Sequence, residues 1–363
     1  MSQDCQSNAD GDPISIVISS ANNRFAQAVL CARSIVRFHP NARFIITLSD
    51  IAKDKEALLS FLPEHSEILE IKDLGIPNFK KFAFRYNVTE LCCNVKTFGI
   101  TYALKYYSSR KLIYVDGDFL FFGPAIEALQ MLESNWITLT PQRLSTTTPY
   151  SYPKESLIHL HGLFNAGFLA IRTDIPRAYE WNLWWQKRIQ EHGHQSPQNG
   201  YWTDQKWLDQ LPILFENVGI LNHPGYNIAH WNTDERTCDF SSPIPTANRK
   251  PLRCVHMSQV DLNPGEDFLK KNPFFDLFRS DFSKQIGILI EPYREALQTL
   301  LNERHMPGLN TIPAYSFFEN GDIITDRYRT LYIHQKVKWG GENPFELRPQ
   351  DFIETFKEIA LMN

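Results

Sequence analysis

Residues 111–124 read KLIYVDGDFLFFGP. The run Lys111-Leu112-Ile113-Tyr114-Val115 is short, apolar and β-rich, so it reads as a buried strand. It leads directly into Asp116-Gly117-Asp118, two carboxylates separated by one small residue. In open α/β sheets ligands bind beyond the carboxyl ends of the strands, and short Asp side chains there can both reach one hard cation. Gly117 lets the backbone turn sharply or come close to a ligand. On spacing alone, a loop with two solvated aspartates is an equally good reading, because motifs this short recur by chance.

The sequence around this segment supports a sheet. Ile14–Ile18 is β-rich, a helical stretch covers about 26–38, and Arg43–Leu48 reads as a buried strand ending at Ser49-Asp50. Strand, helix and strand with short connections predict a βαβ unit and a parallel sheet. Thr89 is the expected N-cap of a helix whose residues Leu91, Val95, Phe98 and Tyr102 form an apolar stripe. A further helix is expected from Pro176 to His192, with Asp174 near its start and Gly193 just past its end. Beyond about residue 262 the pattern changes. Residues 283–305 read as mainly helical, with Pro292 expected to kink or divide them, and a final helix is expected near 350–361. The chain therefore divides into an α/β domain over 13–265, with a mixed, mainly parallel sheet, and a largely helical C-terminal extension over 266–363.

Composition narrows the function. The chain has 363 residues, 43% of them hydrophobic, enough for a large core. Its formal charge is −4 and no basic run exceeds two residues, as at Lys270-Lys271, which excludes a nucleic-acid-binding stripe. The N-terminal MSQDCQSNADGDP lacks the basic and apolar regions of a signal peptide, and no apolar run approaches the ~18 residues that span a bilayer. The six cysteines, at 5, 31, 92, 93, 238 and 254, form no C-x-x-C pair, so a reducing, cytoplasmic setting is expected. The sequon Asn87-Val88-Thr89 carries no meaning without secretion. His159-Leu160-His161 and His192-Gly193-His194 could each place two imidazoles on one strand face, but neither has Cys or carboxylates at zinc-like spacing. No Walker loop, G-x-G-x-x-G or G-x-S-x-G occurs.

A paired-carboxylate site at a strand end suits a nucleotide-sugar donor. Departure of the diphosphate concentrates negative charge, which a divalent cation held by carboxylates neutralises. Several blocks point the same way. They are ISIVISSANNRF (14–25), YVDGDFLFFGPAIEAL (114–129), LTPQR (139–143), GLFNAGFLAIR (162–172), WWQKR (184–188), GYWTDQKWLD (200–209), PGYNIAHWNTDER (224–236), CVHMSQ (254–259), FENGDIITDRYRTLY (318–332) and NPF (343–345). In these blocks, which run in order through nearly the whole chain, the sequence resembles the GT-A glycosyltransferases. It is similar to the glycogenin-like and bacterial lipopolysaccharide galactosyltransferase group, and more narrowly to bacterial glycosyltransferases related to that group.

The resemblance implies a GT-A, Rossmann-like nucleotide-sugar-binding domain and a hexosyltransferase-like activity with retention of anomeric configuration. It implies that Asp116, Gly117 and Asp118 form the metal- and donor-binding motif and that His256, after a late strand, completes the metal site. Imidazole beside carboxylates suits Mn²⁺, with Mg²⁺ as the alternative; the ordinary reading of an isolated His is a satisfied core residue. Ser19, Ser20, Ala21 and Asn23 are expected near the uridine and ribose of a UDP-linked donor. Lys96 is expected to meet the donor, the alternative being a solvated helix lysine. Asn165-Ala166-Gly167 is expected as a small-residue turn against the transferred sugar. Asp204, followed by Gln205 on the donor side, is expected to bind a sugar hydroxyl or stabilise positive character at the anomeric carbon; the plain alternative is that it or Thr203 caps a helix running through Leu208, and both roles can coexist. Asp204 and Asn165 are the expected catalytic residues, and Trp231 and Asn232 the expected acceptor side. The acceptor is an unidentified glycan, lipid-linked sugar or protein. Where many relatives have Gly and then a diphosphate-binding Lys after the late His, this chain has neither close behind His256; its next lysine is Lys270. A sugar-phosphate nucleotidylyltransferase would show a Gly-rich basic loop after the first strand, which Ser19–Arg24 is not. A non-catalytic module that keeps the fold is the other alternative.

Overall fold

Two apolar hexapeptides, β1 (Ser15–Ser20) and β2 (Arg43–Leu48), lie side by side in parallel. Both are almost wholly buried, as central strands covered on two faces must be. They belong to a computed structural model that describes residues 13–146, 152–263, 268–271, 273–334 and 341–352. The sheet is completed by β3 (Ser66–Glu70), β4 (Lys111–Asp116), β6 (Ile137–Pro141), β7 (Phe164–Arg172) and β8 (Val218–Ile220), in the order β8-β6-β7-β4-β1-β2-β3. Only β7 runs against its neighbours, so the seven-stranded sheet is mixed and mainly parallel, as the sequence implies. The carboxyl ends of β1 and β4 come level, with Ser19 opposite Asp116.

One face of the sheet is covered by α1 (Phe25–Val36), the other by α2 (Val88–Tyr106) and α4 (Pro176–His192). The α2 cap is Asn87 rather than Thr89. The Asn87 side chain accepts from Glu90 N–H and the Glu90 carboxylate accepts from Asn87 N–H, a reciprocal pair that leaves Thr89 inside the first turn. The expected stripe is real, with Leu91, Val95 and Phe98 buried. The α4 limits match the sequence reading, although Asp174 pairs with Arg172 and Arg110 instead of capping. His159 and His161 lie on a helix, α3 (Tyr152–His161), and not on a strand.

A second, two-stranded sheet shapes the site. β5 (Phe119–Phe121) pairs antiparallel with β9 (Cys254–His256), and His256 stands opposite Phe119. His256 is therefore the last residue of its strand, not a residue beyond it.

In the C-terminal part, α5 (Pro273–Ile286) and α6 (Ile290–Leu301) are separated by a 3₁₀ turn over Gly287–Leu289. The break precedes Pro292, which sits in the first turn of α6, where a missing N–H removes no helical bond. Phe282 and Leu297 join the core on the α1 face, and Phe318, Phe345 and Phe352 join the core on the α2 face. The helix expected over 350–361 falls largely outside the described residues. Among those described, no helix is long and apolar enough to cross a membrane.

Candidate active site at the carboxyl ends of the strands

Asp116 ends β4, and the turn at Gly117-Asp118 leads into β5. Pairing of β5 with β9 brings His256 to this turn from the far end of the sequence, and Met257 N–H donates to Asp118 O at 2.8 Å. His256 Nε2 lies 3.0 Å from Asp118 Oδ1. One ligand atom each from Asp116, Asp118 and His256 fall within 4.8 Å of one another. Burial would raise the Asp118 pKa, but the His256 imidazole, with Arg24 nearby, outweighs it and holds the carboxyl below its ordinary value.

Glycines shape this corner. A Cβ on Gly167 would lie 2.8 Å from Asp116 Oδ2 and 2.6 Å from Asn165 Oδ1, so only glycine leaves both side chains in place. A Cβ on Gly117 would lie 3.2 Å from that of Ala28 and 3.3 Å from Ser19 O. The close approach that Gly117 permits is thus to α1 and β1.

Lys96 is not a solvated lysine. Its side chain is 1% exposed, and Nζ lies 2.9 Å from Asp204 Oδ2 and 3.3 Å from Asp116 Oδ1. It also donates to Ala166 O at 3.1 Å and sits 4.6 Å from the Tyr114 ring centre. Burial would lower its pKa, but the two carboxylates more than reverse that, so the ammonium stays charged. Asp204 is 1% exposed and its side chain caps nothing, although it stands at the start of a 3₁₀ segment over Gln205–Gln210. Capping by the Asp204 side chain is therefore absent.

The Asn165-Ala166-Gly167 run is the beginning of β7, not a turn. The β6–β7 pairing shifts there, from Leu139 opposite Leu169 to Thr140 opposite Asn165. The resulting bulge re-aims the strand toward the site. Gln205 Oε1 fastens it by accepting from Asn165 Nδ2 at 3.1 Å and Ala166 N–H at 3.2 Å. Of the four residues expected at the nucleotide, Ser19 bonds to Thr47, Ser20 to the Ala21 carbonyl, and Ala21 is buried. Asn23 Oδ1 is buried and has no hydrogen-bond partner among the described residues. Trp231 meets the His256 ring edge-on at 5.3 Å. Asn232 lies in the protein interior. It is fully buried, donates to Gln142 O and Asn227 O, and accepts from Ala229 N–H, so it braces the Trp231 loop.

No family model matches the chain. The uncharacterized protein YfnF of Bacillus subtilis (strain 168) is 30% identical over 153 residues, 41% of this chain and 49% of the relative. The match thus spans about half the length of that relative. Solved structures with which the chain aligns include the galactosyltransferase LgtC in complex with donor and acceptor sugar analogs, at 14% identity and TM-score 0.44, over 83% of this chain and 98% of that one. They also include the glycosyltransferase GlyE of Streptococcus pneumoniae TIGR4, at 12% identity and TM-score 0.42, over 79% of this chain and 64% of that one. Both of these are glycosyltransferases.

Several residues of the site were not singled out from sequence. Tyr114 donates its hydroxyl to Asp116 Oδ1 at 2.5 Å, sharing that oxygen with Lys96. Asn227 faces His256 Nδ1 at 3.1 Å. Arg24 and Lys270 carry charge close to Asp118. Lys270 reaches this side because its N–H donates to Gln259 O, three residues past His256. The two-residue alternation of β4 places Tyr114 and Asp116 on one face, a signal available in the sequence; nothing local announces Asn227 or Lys270.

Two carboxylates and one imidazole at this separation could hold a divalent cation, and Tyr114 and Lys96 fix the orientation of Asp116 in advance.

Proposed function

We propose that the chain is a metal-dependent glycosyltransferase that takes a UDP-linked sugar and transfers it, with retention, to a glycan, lipid-linked sugar or protein. The observation that carries this reading is the convergence of Asp116, Asp118 and His256 at the strand ends, next to the buried Lys96–Asp204 pair. Asp116, Asp118 and His256 would hold Mn²⁺ or Mg²⁺, which when bound supplies positive charge for the departing diphosphate. Asn23 and the end of β1 would receive the nucleotide, and Arg24 and Lys270 would add positive charge on the diphosphate side of Asp118. The Asn165–Gly167 bulge would lie against the transferred sugar and Trp231 on the acceptor side. Asp204, 1% exposed, would offer the sugar a negative charge rather than a hydrogen bond; burial pushes its carboxyl pKa up, and the Lys96 ammonium at 2.9 Å works against that. Positive character at the anomeric carbon is stabilised by such a charge in a site of low dielectric.

The test is thermal unfolding with a panel of nucleotide sugars, with and without Mn²⁺, followed by donor hydrolysis. A ligand at 100 times its Kd stabilises the native state by about 2.7 kcal/mol. UDP-sugars should shift the transition only with Mn²⁺ present, and excess chelator should abolish hydrolysis. Full turnover in excess chelator would overturn the reading.

A further inference from the structure

The His256 ring is fixed in plane by two aromatic neighbours. Phe119 stacks on it at 4.2 Å with an interplanar angle of 26°, and Trp231 meets it at 5.3 Å and 90°. Neither contact determines which ring nitrogen carries a proton, because apolar ring faces neither donate to nor accept from a nitrogen lying in the imidazole plane. The in-plane neighbours are Asn227 Oδ1, 3.1 Å from Nδ1, and Asp118 Oδ1, 3.0 Å from Nε2.

We propose that Asn227 is a positioning residue for His256: its amide oxygen accepts the Nδ1–H hydrogen bond, so that Nε2 is the nitrogen directed at Asp118, where a cation would take the place of its proton. The inference rests on reading Asp116, Asp118 and His256 as a metal centre. An amide oxygen accepts only, so the nitrogen facing it carries the proton. Ligation through one ring nitrogen while the other donates to an oxygen is the general arrangement for histidine at metals.

The surroundings of Asn227 are built to hold it there. It is fully buried and has φ 51°, a left-handed conformation that Asn tolerates and β-branched residues resist. Its N–H points to Cys254 Sγ at 3.5 Å and its carbonyl accepts from Asn232 Nδ2 at 2.9 Å. The next residue, Ile228, accepts from His256 N–H at 2.8 Å, so the two main chains are joined beside the side-chain contact. Asn227 Nδ2 is buried with no hydrogen-bond partner among the described residues. A buried amide with one end unsatisfied is unfavourable for folding, which makes core filling a poor account of this residue.

Two variants of the full chain separate orientation from packing. Asn227→Gly keeps the left-handed backbone and removes the acceptor; Asn227→Asp keeps both the backbone and the acceptor. Mn²⁺ affinity, read from the electron-spin-resonance signal of free Mn²⁺, should weaken about 10- to 100-fold in N227G and stay within a few-fold of wild type in N227D. In ¹⁵N-histidine-labelled, metal-free protein, a slowly exchanging His256 Nδ1–H resonance, assigned with His256→Gln, should be present in wild type and N227D and lost in N227G. A wild-type His256 with no proton on Nδ1, or a folded N227G with wild-type Mn²⁺ affinity, would overturn the proposal. The wild-type resonance decides the matter even if N227G does not fold. If wild type takes up no Mn²⁺, the metal-centre reading fails, while the resonance still reports on Asn227 and His256.

Discussion

Asp118 meets His256 at 3.0 Å, and Asp204 meets Lys96 at 2.9 Å, but their side-chain exposures differ: 29% and 6% for the first pair, 1% and 1% for the second. Asp116 stands between them, with one oxygen given to Lys96 and Tyr114 and the other lying beside Gly167. The difference teaches that similar distances can serve opposite ends. A pair with one member partly exposed to solvent can trade its contact for a ligand at little cost. A sealed pair cannot, because removing either member strands a charge away from water. The open pair therefore suits binding, and the sealed pair is a fixed source of field.

The most severe way to test this contrast is Lys96→Met. It leaves Asp204 buried and Asp116 without its cation, and breaking a buried pair on one side costs about 3–5 kcal/mol. Urea unfolding should show a loss of that order in folding stability. A loss of under about 1 kcal/mol would mean the pair is not structural and Asp204 is held by other contacts.

On the open side the pattern should invert. Asp118→Asn keeps the shape and removes the charge. Turnover should fall by about 10²-fold, equivalent to about 2.7 kcal/mol in the barrier, while folding stability changes by less than about 1 kcal/mol. If stability falls as far as in Lys96→Met, the two pairs do not differ in kind.

The sequence made β1, β2, β4 and α4 legible because each carries its own periodicity and end signals. It placed Asp116 and Asp118 at a strand end for the same reason. The environment of Lys96 was not legible, since a lysine inside a helix has the same spacing whether it is solvated or sealed. Only the packing of α2 on the sheet, which carries Lys96 to Asp116 of β4 and Ala166 of β7, decides between them. The bulge in β7 reads as a turn in sequence, because small residues favour both. Asn232 and Asn227 depend on a loop folding back along β9, a contact no local pattern specifies. The cap at Asn87 was within reach, since Asn-x-x-Glu is a capping-box pattern, but Thr89 competes for the same role.

Mild acid should distinguish the two sides by another route. Burial, with His256 nearby, lowers the His230 pKa from 6.5 to about 3, and this ring packs beside Trp231 on the open side. A histidine depressed in the folded state contributes stability that is present above about pH 6.5 and is lost as the pH falls toward 3. The slope is at most about 1.4 kcal/mol per pH unit for one proton. His230→Phe should flatten the stability–pH curve by that one proton between pH 6 and 4. An unchanged slope would mean that His230 does not stay neutral in the native state.

The smallest expected effect is on the sealed side, in the turn that presents Asp204. Thr203 has φ 46°, is 4% exposed and donates its N–H to His194 O at 2.9 Å. Its hydroxyl reaches the Asp204 carboxylate, and Trp185 Nε1 donates to Asp204 O at 2.8 Å from the other side. A β-branched residue in the left-handed region is strained by about 1–2 kcal/mol, and Asn is tolerated there far better. Thr203→Asn should therefore raise the unfolding temperature slightly, by about 1–2 °C for a stability gain near 0.5–1 kcal/mol. Turnover of the same variant shows what the strain does. A higher unfolding temperature with lower turnover would mean that the strained turn aims Asp204, in keeping with strain held at functional sites. A higher unfolding temperature with unchanged turnover would make the strain incidental and leave Lys96 as the group that positions Asp204. A lower unfolding temperature would show that the hydroxyl contact to Asp204 outweighs the backbone strain, tying the sealed pair more closely to this turn than its exposure alone suggests.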